Sequence, residues 1–160
     1  MRILADADGL PGAAKELATR AALRFQVPLI FVANRRIRCE PSAVVTSIVV
    51  PEGPDVADDR IVEMAEPGDL VVTADVPLAD RVVTKGAFAL DPRGTLYTET
   101  NIKDRLALRD LLSELRDGGM TTGGPAKFSR KDCQAFSNQL DRFLVRRLKA
   151  AGPPRAQGEG

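Results

Sequence analysis

Over the first ninety residues the apolar positions change period repeatedly. Short unbroken apolar runs alternate with stretches where apolar residues recur every three or four positions. Runs of the first kind suit strands buried on both faces, and stretches of the second kind suit helices laid against them. The runs fall at about 2–6, Leu29–Ala33, Val44–Val50, Leu70–Ala74 and Ala87–Leu90. Pro11 opens the first helix, proline being favoured at the first helical position, and Ala14, Leu17, Ala18, Ala21 and Phe25 mark its inner face. A second helix is predicted over about 55–66, with Ile61, Val62 and Ala65 inward. The turn Pro51-Glu52-Gly53-Pro54 precedes it and Pro67-Gly68 ends it. A short third helix starts at Pro77 and ends near Gly86.

This alternation predicts an α/β fold: a single-domain, three-layer sandwich around a mostly parallel five-stranded sheet. Right-handed crossovers leave few topologies. The order 3-2-1-4-5 sets strands 1 and 4 side by side at the switch point, where a crevice opens. The rest reads as a helical C-terminal part. Asn101 can cap a helix running to about Arg116, with Asp104 three residues on and Leu108, Leu111, Leu112 and Leu115 as its apolar stripe. Gly118-Gly119 ends it, and Thr121-Thr122-Gly123-Gly124-Pro125 is a glycine-rich loop. Ser129 with Asp132 repeats the capping spacing, and Phe136, Leu140, Phe143, Leu144 and Leu148 line a last helix. The domain is expected to span 1–150, with 151–160 a Gly/Pro-rich disordered tail.

Two acids sit where the first strand should end, Asp6 and Asp8, and Asp75 does the same for the fourth. Carboxylates gathered at the carboxyl edge of a parallel sheet repel one another unless a cation or shared protons hold them. An Asp after a strand also serves as a helix cap. That explains Asp8, shortly before Pro11, better than Asp6, which should lie within the sheet. Asp58 falls three residues after a candidate cap, Asp55, yet shares a face with Ile61, Val62 and Ala65, where an unpartnered acid is costly. Asp59 turns toward Glu63 and solvent, and Asp80 is either a ligand or a plain surface acid. Converging carboxylates suit Mg²⁺ or Mn²⁺, which take oxygen ligands and serve phosphate chemistry.

Composition narrows the chemistry. The chain has no histidine, which excludes Ser-His-Asp and Cys-His catalysis and His-ligated zinc. Cys39 and Cys133 lack metal-type spacing. No run approaches the roughly 20 apolar residues of a membrane span, and no secretory signal pattern opens the sequence, so a cytoplasmic location is expected. Residues 1–100 carry 11 Lys and Arg against 15 Asp and Glu, while residues 101–160 carry 12 against 7. An acidic front and a basic back suit a metal site served by a phosphate-gripping surface, although two ordinary charged faces give the same counts. The loop from Thr121 to Lys127, followed by Arg130 and Lys131, could grip phosphate, but it lacks the Walker pattern and also reads as a structural turn. Arg35, Arg36 and Arg38 form a small basic cluster that is either a backbone contact or a solvated loop. Aromatic residues are only 4%, too few for the usual base-stacking platforms.

These residues carry a resemblance. The matching pieces, in order, are Asp6-Ala7-Asp8 with Pro11; Val32-Ala33-Asn34; Asp55-Val56-Ala57-Asp58 with Ile61; Gly68-Asp69-Leu70-Val71; Thr73-Ala74-Asp75 with Pro77-Leu78-Ala79; Lys85-Gly86-Ala87; Pro92-Arg93-Gly94 with Tyr97; Asn101-Ile102 and Arg109; Thr122-Gly123-Gly124-Pro125; and Asp132 with Phe136. In order and spacing the chain resembles the YaiI/YqxD family of uncharacterised bacterial proteins, grouped with PIN-like nuclease folds, from about Met1 to Lys149. The resemblance implies metal ligands Asp6, Asp8, Asp58 and Asp75, with Asn34 and Thr73 as supports. It departs at Gly9-Leu10, where relatives commonly have Ala-Cys, so cysteine chemistry is not expected there. The implied activity is metal-dependent hydrolysis of phosphodiester bonds, with RNA as substrate. Asp6, Asp58 and Asp75 would hold the metal, and Asp8 would complete the coordination or orient the attacking water. Asn34, Thr73, Arg93, Lys127 and Arg130 would serve the substrate side. Two alternatives stay open. One is a haloacid-dehalogenase-like phosphatase, with Asp6 as nucleophile and Asp8 as general acid. The other is a non-catalytic module that binds nucleic acid or protein.

Overall fold

A computed structural model describes residues 1–37, 42–119 and 127–150. The loop expected at 121–125, Arg38, Cys39 and the tail 151–160 lie outside the described residues. The strands are β1 (Ile3–Asp6), β2 (Leu29–Ala33), β3 (Val45–Val49), β4 (Leu70–Val72), β5 (Phe88–Leu90) and β6 (Leu96–Tyr97). The helices are α1 (Gly12–Phe25), α2 (Val56–Met64), α3 (Val76–Thr84), α4 (Glu99–Asp117) and α5 (Arg130–Ala150), and a short 3₁₀ turn covers Ala7–Gly9. One sheet runs in the order β3-β2-β1-β4-β5-β6, parallel except for β6. The expected order 3-2-1-4-5 is therefore present, with one strand more.

Residue parity along the strands builds the three layers. Ile3 and Ala5 of β1 pack with Ala14, Ala18 and Ala22 of α1 and with Phe136, Leu140 and Leu144 of α5. Leu4 packs instead with Ile61 of α2 and Leu78, Ala79, Val82 and Val83 of α3. Asp6 keeps the parity of Leu4, so its side chain leaves the sheet on the α2 and α3 side. Thr73 keeps the parity of Val71, which belongs to the same α2 and α3 layer.

Four local expectations are corrected. After β5 the chain turns through Asp91–Thr95, where the Asp91 amide donates to the Thr95 carbonyl at 2.8 Å, and β6 returns antiparallel. A two-residue strand is too short to show a period, which is why only five were expected. β4 ends at Val72, short of Ala74, because the Thr73 hydroxyl accepts the Asp75 amide at 3.0 Å and bends the chain. α4 starts before Asn101: Thr98 is the N-cap, and Asn101 closes a capping box by accepting the Thr98 amide at 2.9 Å. Finally, Leu108, Leu111 and Leu112 are 46%, 52% and 38% exposed, whereas Ile102 is buried. Periodicity shows that α4 is amphipathic but not how far its neighbours reach. Its first turns meet α3 and β6 through Ile102, the Lys103–Asp80 ion pair and Asn101. Leu148 of α5 is exposed as well.

The β5–β6 turn packs directly on α5. Gly94 has φ +97°, and an added Cβ would stand 2.8 Å from the Ala135 backbone. Gly94→Ala is expected to cost about 2 kcal/mol, from the left-handed backbone and the overlap. Thermal melting should fall by about 4–8 °C.

Candidate active site at the carboxyl edge of the sheet

The register Ala5↔Val72 sets Thr73 beside Asp6 at the carboxyl ends of β1 and β4. The fully buried Thr73 donates its hydroxyl to Asp6 Oδ2 at 3.0 Å and accepts the Asp75 amide at 3.0 Å. One side chain thus ties two acids that are far apart in sequence. Asp75 is also the N-cap of α3, its Oδ1 accepting the Leu78 amide at 3.2 Å. Asp6 and Asp75 line the same cleft of about 580 Å³, with Gly9, Ala74, Val76, Arg109 and Arg116. The cleft lies at the β1/β4 switch point, where α/β sheets take ligands.

The electrostatics are those of crowded carboxylates. Burial pushes the Asp6 carboxyl above its usual range; the Thr73 hydroxyl opposes this, and the charges of Asp75 and Asp8 add to the rise. Asp58, near the start of α2, is pushed up to about 6, first by burial and then by Asp6, Asp75 and Asp55, with Arg81 opposing. For both groups the folded state holds its proton more tightly than the unfolded chain. Stability is therefore expected to decline as pH rises from about 4 to about 6, and then to level off. Asp58→Asn should flatten part of that decline. Discounted for its solvent exposure, the gain at pH 7 is about 1 kcal/mol. Melting curves at pH 4, 5, 6 and 7 check it; a native protein whose stability rises across this window would contradict the assignment.

The other expected residues divide. Asp8 accepts the Asn34 amide at 2.8 Å and so fastens the end of β2 to the 3₁₀ turn. It does not cap α1, whose N-cap is Pro11 with no side-chain bond. The backbone of Asn34, not its exposed side chain, makes that contact. Thr73 is an internal bridge, too deep to touch a bound molecule. Asp55 stands at the N-cap of α2 without a side-chain cap bond. Asp59 pairs with Arg81 at 2.9 Å and Asp80 with Lys103 at 2.6 Å, which accounts for both as ion-paired acids. Arg93 pairs with Asp132 at 2.9 Å at the start of α5, where Lys127 and Arg130 are exposed. None of these three lines the cleft. Arg35 and Arg36 are exposed just past β2.

Two cleft residues, Arg109 and Arg116, were not expected as site residues. Their seven-residue spacing, two turns of one helix, was legible. The direction that side of α4 faces depends on how the helix docks. Asp91, just past β5, does not line the cleft; burial pushes its carboxyl up, while the Arg93 amide donates to it at 2.7 Å.

The donor set can be tested against the implied divalent ion. Among the described residues, no three His, Cys, Asp or Glu side chains stand close enough to hold a metal ion together. Mg²⁺, however, is commonly held by one or two carboxylates together with waters and substrate phosphates. Asp6 and Asp75 in one cleft, with only oxygen donors, fit that mode.

An α/β domain with acids at its switch point is thus in place. The sequence pattern of the family described as "Uncharacterized BCR, YaiI/YqxD family" matches residues 4–146. A UPF0178 protein of Burkholderia cenocepacia is 51% identical over 149 residues, covering 93% of this chain and 99% of its own. One from Bordetella avium is 51% identical over 154 residues, 96% of this chain and all of its own, and one from Geobacter metallireducens is 50% identical over 153 residues, 96% and 99%. No solved structure matches. The chain belongs to the YaiI/YqxD family. Among the described residues no helix is long and apolar enough to cross a membrane.

Proposed function

We propose that this protein is a divalent-metal-dependent nuclease that hydrolyses phosphodiester bonds. RNA is the substrate that the PIN-like resemblance implies. One observation carries the reading: Asp6 and Asp75, joined through Thr73, line a single cleft at the β1/β4 switch point. Asp6 and Asp75 would hold Mg²⁺ or Mn²⁺, with Asp58 and Asp8 near enough to shift or feel their charge. Such an ion, when bound, lowers the pKa of its water and neutralises charge on a phosphodiester. The chain's own part is to hold the acids in place. Thr73 fixes one Asp6 oxygen and leaves the other for a ligand, and the α3 cap fixes Asp75. Asp8, fastened to the Asn34 amide through Oδ2, keeps one oxygen to accept a proton or orient a water.

The test is a cleavage assay on single-stranded RNA and DNA with Mn²⁺, Mg²⁺ or EDTA. Cleavage of RNA with either metal, abolished by EDTA, is expected. Equal cleavage in EDTA, no cleavage with either metal, or a phospho-aspartate trapped on Asp6 from a phosphate monoester would overturn the reading. The last result would favour the phosphatase alternative.

A further inference from the structure

The acids of the cleft would repel a polyanion by themselves. The same cleft, however, is lined by two arginines, Arg109 and Arg116 of α4. The fold makes little use of either. Arg109 has one ion pair, at 3.7 Å to its exposed neighbour Asp110, a kind that contributes little. Among the described residues Arg116 has no ion pair. Arginine binds phosphate through two parallel N–H donors and stays charged at any working pH. Seven residues of helix separate the two by about 10 Å along the axis, which suits two phosphates of one strand. No aromatic residue, the usual base-stacking platform, lines the cleft among the described residues. Most protein–nucleic acid hydrogen bonds go to phosphate and sugar, and such contacts carry no sequence information.

We propose that Arg109 and Arg116 form a phosphate clamp that grips one nucleic-acid strand, whatever its base sequence, and lays it across Asp6 and Asp75. The inference rests on the nuclease reading, since it names how that site takes its substrate. It assigns the clamp to the middle and end of α4, not to Arg93, Lys127 or Arg130, which lie outside the cleft.

The experiment is fluorescence anisotropy of labelled oligo-U and oligo-A RNA, in EDTA, over a range of salt. Arg109→Ala and Arg116→Ala should each weaken binding about tenfold and lower the log–log salt slope by about 0.7, equally for both sequences. Arg116→Lys should keep the salt slope and recover part of the affinity. Both positions are exposed, and unchanged melting will show that the variants fold. Four outcomes overturn the clamp: native protein that binds neither RNA, unchanged affinity and slope in both alanine variants, loss for one sequence only, or a mononucleotide that competes as well as the strand. The two readings fail separately. Clamp-dependent binding without any Mn²⁺-dependent cleavage would sink the nuclease and keep the clamp. Full cleavage by the Arg109→Ala/Arg116→Ala double variant would do the reverse.

Discussion

Asp6→Asn is expected to cut metal-dependent cleavage by about a hundredfold or more while leaving the protein at least as stable as the native form. The two effects share one cause. Asp6 is 8% exposed, and its charge is opposed by burial and by Asp75 and Asp8. Asparagine has nearly the same shape, and its carbonyl can still accept the Thr73 hydroxyl, so folding loses little and sheds a repulsion. A divalent ion loses a carboxylate that asparagine cannot replace. Asp58 supplies a readout that needs no metal. Its carboxyl lies at about 6 partly because of Asp6, so in the variant it should titrate lower. A variant that cleaves normally would break the argument, as would one that melts more than about 4 °C below native.

Thr73→Val should harm both stability and activity. The hydroxyl is fully buried, bonds an Asp6 oxygen and takes the Asp75 amide. Valine fills the same volume without the oxygen. A buried carboxylate then loses its donor and a backbone N–H loses its acceptor, together costing about 3 kcal/mol. Melting is expected to drop by about 6–12 °C. Cleavage should fall too, because Asp6 holds its proton more tightly and the Asp75 turn loosens. Thr73→Ser keeps the hydroxyl and should restore most of the activity, at the cost of one methyl group. Thr73→Val melting like the native protein would show that the bridge is not needed.

The sheet was legible because buried parallel strands write themselves as apolar runs: Leu29–Ala33 and Leu70–Val72 lie within the expected runs. Pro11 and Pro77 marked helix starts to within a residue, since proline fits where the helix has no amide to satisfy. Asp6 and Asp75 could be brought together on paper because strand order and parity decide where a strand-end side chain goes. What stayed hidden depends on contacts between distant pieces. Leu108, Leu111 and Leu112 looked like a core stripe, but nothing in a single helix tells how far α3 and β6 extend beneath it. Thr73 was expected as a support, yet only the β1–β4 register shows that its hydroxyl serves two acids at once. Arg93 looked free to meet substrate, and Asp132, thirty-nine residues away, pairs with it. Arg109 was marked only as part of the resemblance and Arg116 not at all, and neither could be placed at the cleft until α4 was docked.

Whether Asp6 and Asp75 hold one divalent ion is measured directly by Mn²⁺ titration calorimetry on the native protein, Asp6→Asn and Asp75→Asn. Asparagine at 75 can still cap α3, so the comparison isolates the charge from the helix start. The expected result is measurable binding by the native protein and at least a tenfold weaker affinity in each variant, with both variants folded. Three proteins that bind Mn²⁺ alike, or a native protein that binds none, would contradict it.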